Sequence, residues 1–417
     1  EKGNGGSSRC RVMEEDGGST TAISGGKVND TKSHAARRDL GGECREGLSK
    51  ELVASFKRDG YVLVRGLLPD ADCLEPIRKE LNEFLDKRAV DLKKSGRLSN
   101  VHKGVGFGKR LAFICQEWNQ IYHELRLHQL FPRSVFELMS SHTKMLSVVD
   151  ALLRSGCEER LGAKSSSDQG RASGPASSEE RLSLGSERKS PARDRSMSSD
   201  IQMSSSSGSS QGRNPSSSSL SRYRLAISPI QHLRPKLPVK LTPREGDPHV
   251  VPWHQDAGVC LPEADGVDMI TVWIPLVPVN PNNGGLLLRP GMHKQGLMKH
   301  WIHRGVSIMP SEMTRKGMKE EPVKMEPGDV LFMSKYCPHR SLKNISAGVR
   351  WSLDLRYQRE GTPSGRGFYP TFVVGDPSLN YKTWTETWKR AQTAYAGQPI
   401  HRWTLRRKDA RRQEATC

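Results

Sequence analysis

Apolar positions fall three and four residues apart along the first part of the chain and gather into short blocks along the second. Leu52 and Phe56 open an amphipathic helix that the Asp59-Gly60 pair stops. "YVLVRGLL" then reads as a buried strand. Behind it, Asp70 is placed to cap a helix in which Leu74, Ile77, Leu81 and Leu85 repeat at helical spacing. Residues 110–153 carry further helical faces in "RLAFICQEW" and "SVFELMSSHTKMLSVVDALL". From about residue 223 the pattern becomes strand after short strand: "RLAISPIQHL", "DMITVWIPLVPV", "GLLLRPG", "DVLFMS", "RWSLDLRYQ" and "TFVV". The turns "PNNGG" and "EPGD" read as hairpins. No helical pattern lies between these strands, which disfavours a parallel α/β sheet. The expected class is mainly β with flanking helices, built on an antiparallel jelly roll (a cupin-like, double-stranded β-helix). "LNYKTWTETWKRAQTAYAG" returns to helix, with Trp384 and Trp388 on its buried face.

Two stretches break the pattern. Residues 1–48 are Gly-rich, polar and aperiodic. Of the 57 positions from Ser165 to Ser221, 23 are Ser and almost none are large and apolar. Neither stretch can bury enough surface to offset the entropy of ordering it, so both are expected to be disordered. The expected organisation is a disordered segment 1–48, a helix-rich region 49–162 packed on the core, a disordered insertion 163–222, a β-helix core 223–376, and a C-terminal helix with a basic tail, 377–417.

Composition adds limits. The net charge of +19 would suit an anionic partner, but it is spread along the chain and dense only in "HRWTLRRKDARRQ", whose simplest reading is a solvated tail. Nucleic acid is therefore not the expected partner. The eight cysteines form no C-x-x-C pair and no regular spacing, which argues against a zinc ribbon or a disulfide framework and makes a reducing, cytoplasmic-type compartment the default. No apolar run reaches the roughly 18–20 residues of a membrane span. The chain begins at Glu1 rather than Met, so a leader and organelle targeting stay open, as does the oligomeric state.

The candidate chemistry starts at "WHQDAGVC", where His254 and Asp256 would project together from a strand. An imidazole and a carboxylate need a third ligand, and His339, in "DVLFMSKYCPHRSLKN", is the candidate. Two His and one carboxylate leave coordination positions open, the arrangement used for non-heme Fe(II), 2-oxoglutarate and dioxygen. The H-E-x-x-H spacing of zinc hydrolases is absent. Arg350 lies eleven residues after His339 and begins a strand whose alternation puts Arg350, Ser352, Asp354 and Arg356 on one face. Charge facing a barrel interior is costly unless something compensates it. An anionic co-substrate does so: Arg350 would fork onto the distal carboxylate of 2-oxoglutarate, with Ser352 or Ser341 adding a hydrogen bond.

At these residues the chain resembles the phytanoyl-CoA dioxygenase family of Fe(II)- and 2-oxoglutarate-dependent oxygenases. The resemblance rests on "FKRDGYVLVRGLL", "WHQD", "WIPLVPVNPNNGGLLLRPGMHK" and "HRSLKNISAGVR", and covers about residues 49–130 and 223–360. It implies iron ligation by His254, Asp256 and His339, anchoring of 2-oxoglutarate by Arg350, and Trp273 and Ser341 beside the co-substrate. The implied reaction hydroxylates a small organic substrate, lipid-like or acyl, with release of succinate and CO2. Asp256 fits hydroxylation, since chlorinating members lack the acidic ligand. The Ser-rich insertion departs from the family pattern. Two other readings are a nucleic-acid demethylase of the same superfamily, suggested by the Arg350/Arg356 spacing, and a non-enzymatic jelly-roll module that binds metal or ligand.

Other residues have plainer readings. His293 is a rival third ligand or a structural residue; His300 and His303 read as surface residues in a linker. Arg289 faces solvent or the pocket. Cys260 and Cys337 read as packing residues, and Arg356 either binds substrate or pairs with Asp354 or another wall residue.

Overall fold

The computed structural model describes residues 45–168, 224–241, 250–302, 305–314, 319–398 and 402–403. The expected disordered stretches fall almost wholly outside them, as does the basic segment 404–417. Two helices reach into those stretches: α1 (Arg45–Asp59) starts ahead of residue 49, and α6 (Thr143–Asp168) passes residue 162. Gly60 ends α1 at φ +82°, a left-handed value that suits glycine. Next come β1 (Tyr61–Val64) and α2 (Glu75–Lys94), whose Ile77, Leu81 and Leu85 are buried. Asp70 does not cap α2. Pro69 leads into a short π-helical turn, Asp70–Leu74, and the Asp70 carboxylate instead accepts from Arg78 at 2.5 Å. Then follow α3 (Phe107–Glu117), α4 (Ile121–Leu125), β2 (Leu127–His128) and α5 (Arg133–Ser141), ahead of α6.

The second half is a run of strands: β3 (Leu225–Ile227), β4 (His232–Lys236), β5 (Met269–Pro275), β6 (Leu286–Leu288), β7 (His300–Ile302) and β8 (Val306–Ile308). It continues through β9 (Glu321–Pro322), β10 (Val330–Ser334), β11 (His339–Ser341), β12 (Arg350–Arg359) and β13 (Phe372–Val373) to α7 (Tyr381–Ala394). Every pairing is antiparallel. An eight-stranded sheet runs β1-β10-β5-β12-β3-β13, with β4 also on β12 and β2 on β4; a three-stranded sheet runs β11-β6-β9, and β7 pairs with β8.

Trp273, Leu331 and Met333 of the large sheet meet Leu286 and Leu288 of the small one, so the two sheets close as a jelly roll on a core of their own. The other face of the large sheet carries Trp351, Leu353, Leu355 and Tyr357, all fully buried under the helices. Trp351 stacks on Phe107 at 5.0 Å, and the Tyr357 hydroxyl donates to the Met139 carbonyl. The helical region also supplies β1, the strand beside β10. On α7, Asn380 caps the helix and Trp384 and Trp388 are buried.

The two turns read as hairpins are not hairpins. β5 lies in the large sheet and β6 in the small one, so "PNNGG" carries the chain between sheets; "EPGD" returns it from β9 to β10. Both are the crossovers that a jelly roll needs. In the first, Asn280 Oδ1 accepts from the amides of Asn282 and Asn283, and Gly284 sits at φ +85°. A Cβ there would also meet the Lys236 side chain. Gly284→Ala is expected to lower stability by about 1–3 kcal/mol, read as a lower urea midpoint at unchanged slope.

Candidate active site

His254 and His339 exchange both backbone hydrogen bonds, His254 N–H to His339 O at 3.0 Å and His339 N–H to His254 O at 2.9 Å. This isolated bridge docks the "WHQD" segment beside β11 and sets the two imidazoles 4.2 Å apart, centre to centre. The expectation that His254 and Asp256 share one strand is corrected here. The chain is extended through Gln255 and then turns into a short 3-10 helix, Asp256–Val259. The carboxylate nevertheless returns to the imidazole, with Asp256 Oδ1 3.8 Å from His254 Nε2. One donor atom from each of His254, Asp256 and His339 lies within 4.8 Å of the others.

The middle residue fixes this shape. Gln255 is buried; its Nε2 donates to the carbonyls of Gly296 and Tyr336, and its Oε1 accepts from Met298 N–H. Its own N–H donates to His300 Nε2 at 3.2 Å, while His300 Nδ1 lies 2.7 Å from the Met298 carbonyl. His300 is thus a buried residue of β7, not the surface residue the sequence suggests; burial pushes its pKa down to about 4. His303 lies outside the described residues. His293 sits away from the cluster, with Nε2 3.2 Å from the Lys57 carbonyl.

The protonation states suit a metal. The Nδ1 atoms of His254 and His339 each lie 3.0 Å from a carbonyl, of Pro252 and Cys337 respectively. A carbonyl only accepts, so in the neutral form of each ring Nδ1 carries the hydrogen and Nε2 the lone pair. Burial, aided by the His339 ring, pushes the His254 pKa down to about 3 and keeps that ring neutral. Burial alone would raise the Asp256 carboxyl, but the Arg356 guanidinium and the two imidazoles overcome it and hold the group well below the usual carboxylate range. Arg356 donates to Asp256 Oδ1 at 2.6 Å and Thr271 Oγ1 donates to Oδ2 at 2.5 Å. Of the roles open to Arg356, pairing is the one realised, with Asp256. Asp354 pairs instead with Arg234, at 2.6 Å.

The cluster opens on a small cavity, lined among others by His254, His339, Trp273, Ser341, Arg350 and Asp354. The alternation of β12 behaves as read, with Arg350 and Arg356 on the cavity side. Three guanidiniums border the cavity. Those of Arg234 and Arg356 hold carboxylates, whereas Arg350 Nη1 donates to the Ser352 hydroxyl at 2.6 Å and, among the described residues, no carboxylate lies within ion-pair distance of it. The Arg350 guanidinium stands 5.3 Å from the Trp273 ring, and burial pushes its pKa down to about 10. Sequence reasoning missed Arg234 and Lys236. Lys236 lies opposite Arg350 in register, buried, with Nζ donating to Ser341 Oγ at 2.8 Å. Ser341 Oγ also accepts from Val251 N–H, which leaves its own O–H as donor.

The remaining candidates are structural. Burial raises the thiols of Cys260 and Cys337, as packing residues require. Arg289 bonds Glu320 and lies over the Trp253 ring at 4.9 Å.

Residues 230–352 match the phytanoyl-CoA dioxygenase (PhyH) family model. The resemblance read from the sequence is borne out there, over a span that contains all three clustered residues and Arg350. Among curated relatives, the 1-deoxypentalenic acid 11-beta-hydroxylase of Streptomyces arenae is 37% identical over 132 residues, 28% of this chain and 44% of that protein. The methylphosphonate hydroxylase of Gimesia maris is 38% identical over 88 residues, 21% of this chain and 32% of that protein. The chain therefore spans less than half the length of these curated relatives. One solved structure, the apo form of the non-heme monooxygenase ThoJ, is 14% identical and covers 88% of this chain and 99% of its own, with a TM-score of 0.45.

The Asp256–Arg356 pair yields a test. Arg356→Leu strands a buried carboxylate and should cost about 3–5 kcal/mol of stability. Adding Asp256→Asn to that variant removes the stranded charge and should recover a large part of the loss, a non-additivity that denaturation of the four proteins would measure.

Proposed function

We propose that this chain is an Fe(II)- and 2-oxoglutarate-dependent dioxygenase that hydroxylates a small organic molecule, with release of succinate and CO2. The observation that carries the reading is the juxtaposition of two imidazoles and an ionised carboxylate with a buried guanidinium that, among the described residues, has no carboxylate of its own. The donor set fits the metal: His254, Asp256 and His339 would hold a divalent iron on one side and leave positions facing the cavity. When bound, that iron supplies the oxidising chemistry.

The chain's own residues bind and orient. Arg350 takes the distal carboxylate of 2-oxoglutarate, and its positive charge is what an anionic ligand would neutralise. Ser341 supplies a hydroxyl at the same end, Ser352 steadies Arg350 from behind, Lys236 adds a second cation beside Ser341, and the Trp273 ring forms part of the wall. Arg356 and Thr271 keep Asp256 ionised and aimed. The hydroxylases of a carboxylic acid and of a phosphonate among the curated relatives support a small-molecule substrate.

The nucleic-acid reading loses its main support, because Arg356 is committed to Asp256 inside the protein. No described helix is long and apolar enough to cross a membrane.

Anaerobic addition of Fe(II) and 2-oxoglutarate should produce a weak visible charge-transfer band, and a colourless sample would count against the reading in favour of a binding module. His339→Ala and Asp256→Ala should each abolish succinate formation. Arg350→Gln should raise KM for 2-oxoglutarate about 10- to 100-fold, the loss expected for a charge-assisted hydrogen bond. Full turnover in either ligand variant would remove the mechanism.

A further inference from the structure

The 3-10 turn that begins with Asp256 is gripped from outside by two residues far along the chain. Arg402 Nε donates to the Cys260 carbonyl at 2.6 Å, and its Nη2 reaches the Ala257 carbonyl at 3.4 Å. The same guanidinium is held two-pronged by Asp265, at 2.8 and 2.5 Å, and its side chain is only 9% exposed. Trp403 Nε1 donates to the Gly258 carbonyl at 2.7 Å, and its ring stacks on His300 at 5.4 Å. His300 in turn accepts the N–H of Gln255, which lies between His254 and Asp256. It packs so closely on Gly258 that a Cβ there would fall 2.6 Å from its ring. The expectation of a solvated basic tail from residue 401 is thus corrected at its start. Arg402 and Trp403 are docked, and they reach three carbonyls of a five-residue stretch.

We infer that Arg402 and Trp403 are positioning residues for the metal centre: they strap the Asp256–Cys260 turn so that the Asp256 carboxylate meets His254 and His339. The inference rests on the functional reading above. The physical reason is local. A short 3-10 turn has poor hydrogen-bond geometry and no ladder to hold it, so its carbonyls must find partners elsewhere or the turn opens. Residues that orient ligands from behind typically change metal affinity 10- to 100-fold when removed. Neither residue belongs to the His254–Asp256–His339 cluster or lines its cavity.

The test compares the full chain with Arg402→Ala, Trp403→Ala, Trp403→Phe and Arg402→Lys. Ni(II) affinity would be measured by calorimetry and the Fe(II)–2-oxoglutarate band by absorption. Amide exchange at residues 256–260 would be measured in the metal-free proteins. The alanine variants should weaken Ni(II) binding about tenfold or more and speed exchange in the turn. Trp403→Phe keeps the stack and loses one hydrogen bond, and Arg402→Lys keeps the charge; both should fall between wild type and alanine and serve if an alanine variant does not fold. Faster exchange with Ni(II) affinity within twofold of wild type would mean the strap is only structural, and the inference fails. Unchanged exchange overturns the strap itself. A wild-type chain that binds neither Ni(II) nor Fe(II) overturns the functional reading, and the positioning role with it, whatever the exchange shows.

Discussion

Two backbone hydrogen bonds between His254 and His339 set the rest of the site. They join residues far apart in sequence, and they do so by the least flexible means a chain has, a reciprocal amide pair. Once the bridge forms, both imidazoles are committed to one side of the small sheet. The carbonyls of Pro252 and Cys337, each two residues before its histidine, then fix the tautomers. The nitrogen that could bind a metal is chosen by backbone geometry before any metal arrives.

The second constraint is charge. Arg234, Arg350, Asp354 and Arg356, from β4 and β12, border one partly closed cavity, and an ion buried without a partner costs several kcal/mol. Arg356 with Asp256 and Arg234 with Asp354 meet that constraint internally. Arg350 meets it only through hydroxyl and ring contacts, which are weaker than an ion pair. The cavity is therefore left electrostatically incomplete at one place, which an anion with two acceptor oxygens would complete. Lys236, across the strand pair, strengthens the same bias. The arrangement also explains why the row Arg350–Arg356 can be so polar inside a protein: its members neutralise neighbours, or await a ligand.

Much of this was legible because strand alternation is a strict code. The polar and apolar faces of "RWSLDLRYQ" could be assigned by counting, and the helical stripe through Ile77, Leu81 and Leu85 followed from its period. Turn residues are a looser code. "PNNGG" and "EPGD" report that the chain reverses, but which sheet receives it depends on long-range packing. Reading them as hairpins was a natural error. Asp256 failed for a related reason: two-residue spacing puts side chains together only while the strand continues, and Ala257-Gly258 lets the chain coil instead. Arg234 and Lys236 were missed because the strand was taken to end at Leu233. Carrying the alternation through "HLRPK" would have put His232, Arg234 and Lys236 on one face. His300 and Trp403 had no local signal at all. Their burial comes from tertiary contacts with the ligand turn.

That last group shows how an irregular segment can carry demanding geometry. A strand residue inherits its position from a ladder, as His339 does from β6 and β11. Asp256 has no ladder; apart from the Ala257 N–H bond to the Lys335 carbonyl, its place comes from side chains. Gln255 spends its whole amide on three backbone groups, Thr271 and Arg356 hold the two carboxylate oxygens, and Arg402 and Trp403 hold the carbonyls that follow. The neutral contacts among these are each modest, about 0.5–1.5 kcal/mol net. Their directions differ, so together they restrict rotation as well as translation of the carboxylate. A turn held this way depends on a few distant contacts, whereas His254 and His339 are held by each other's backbones.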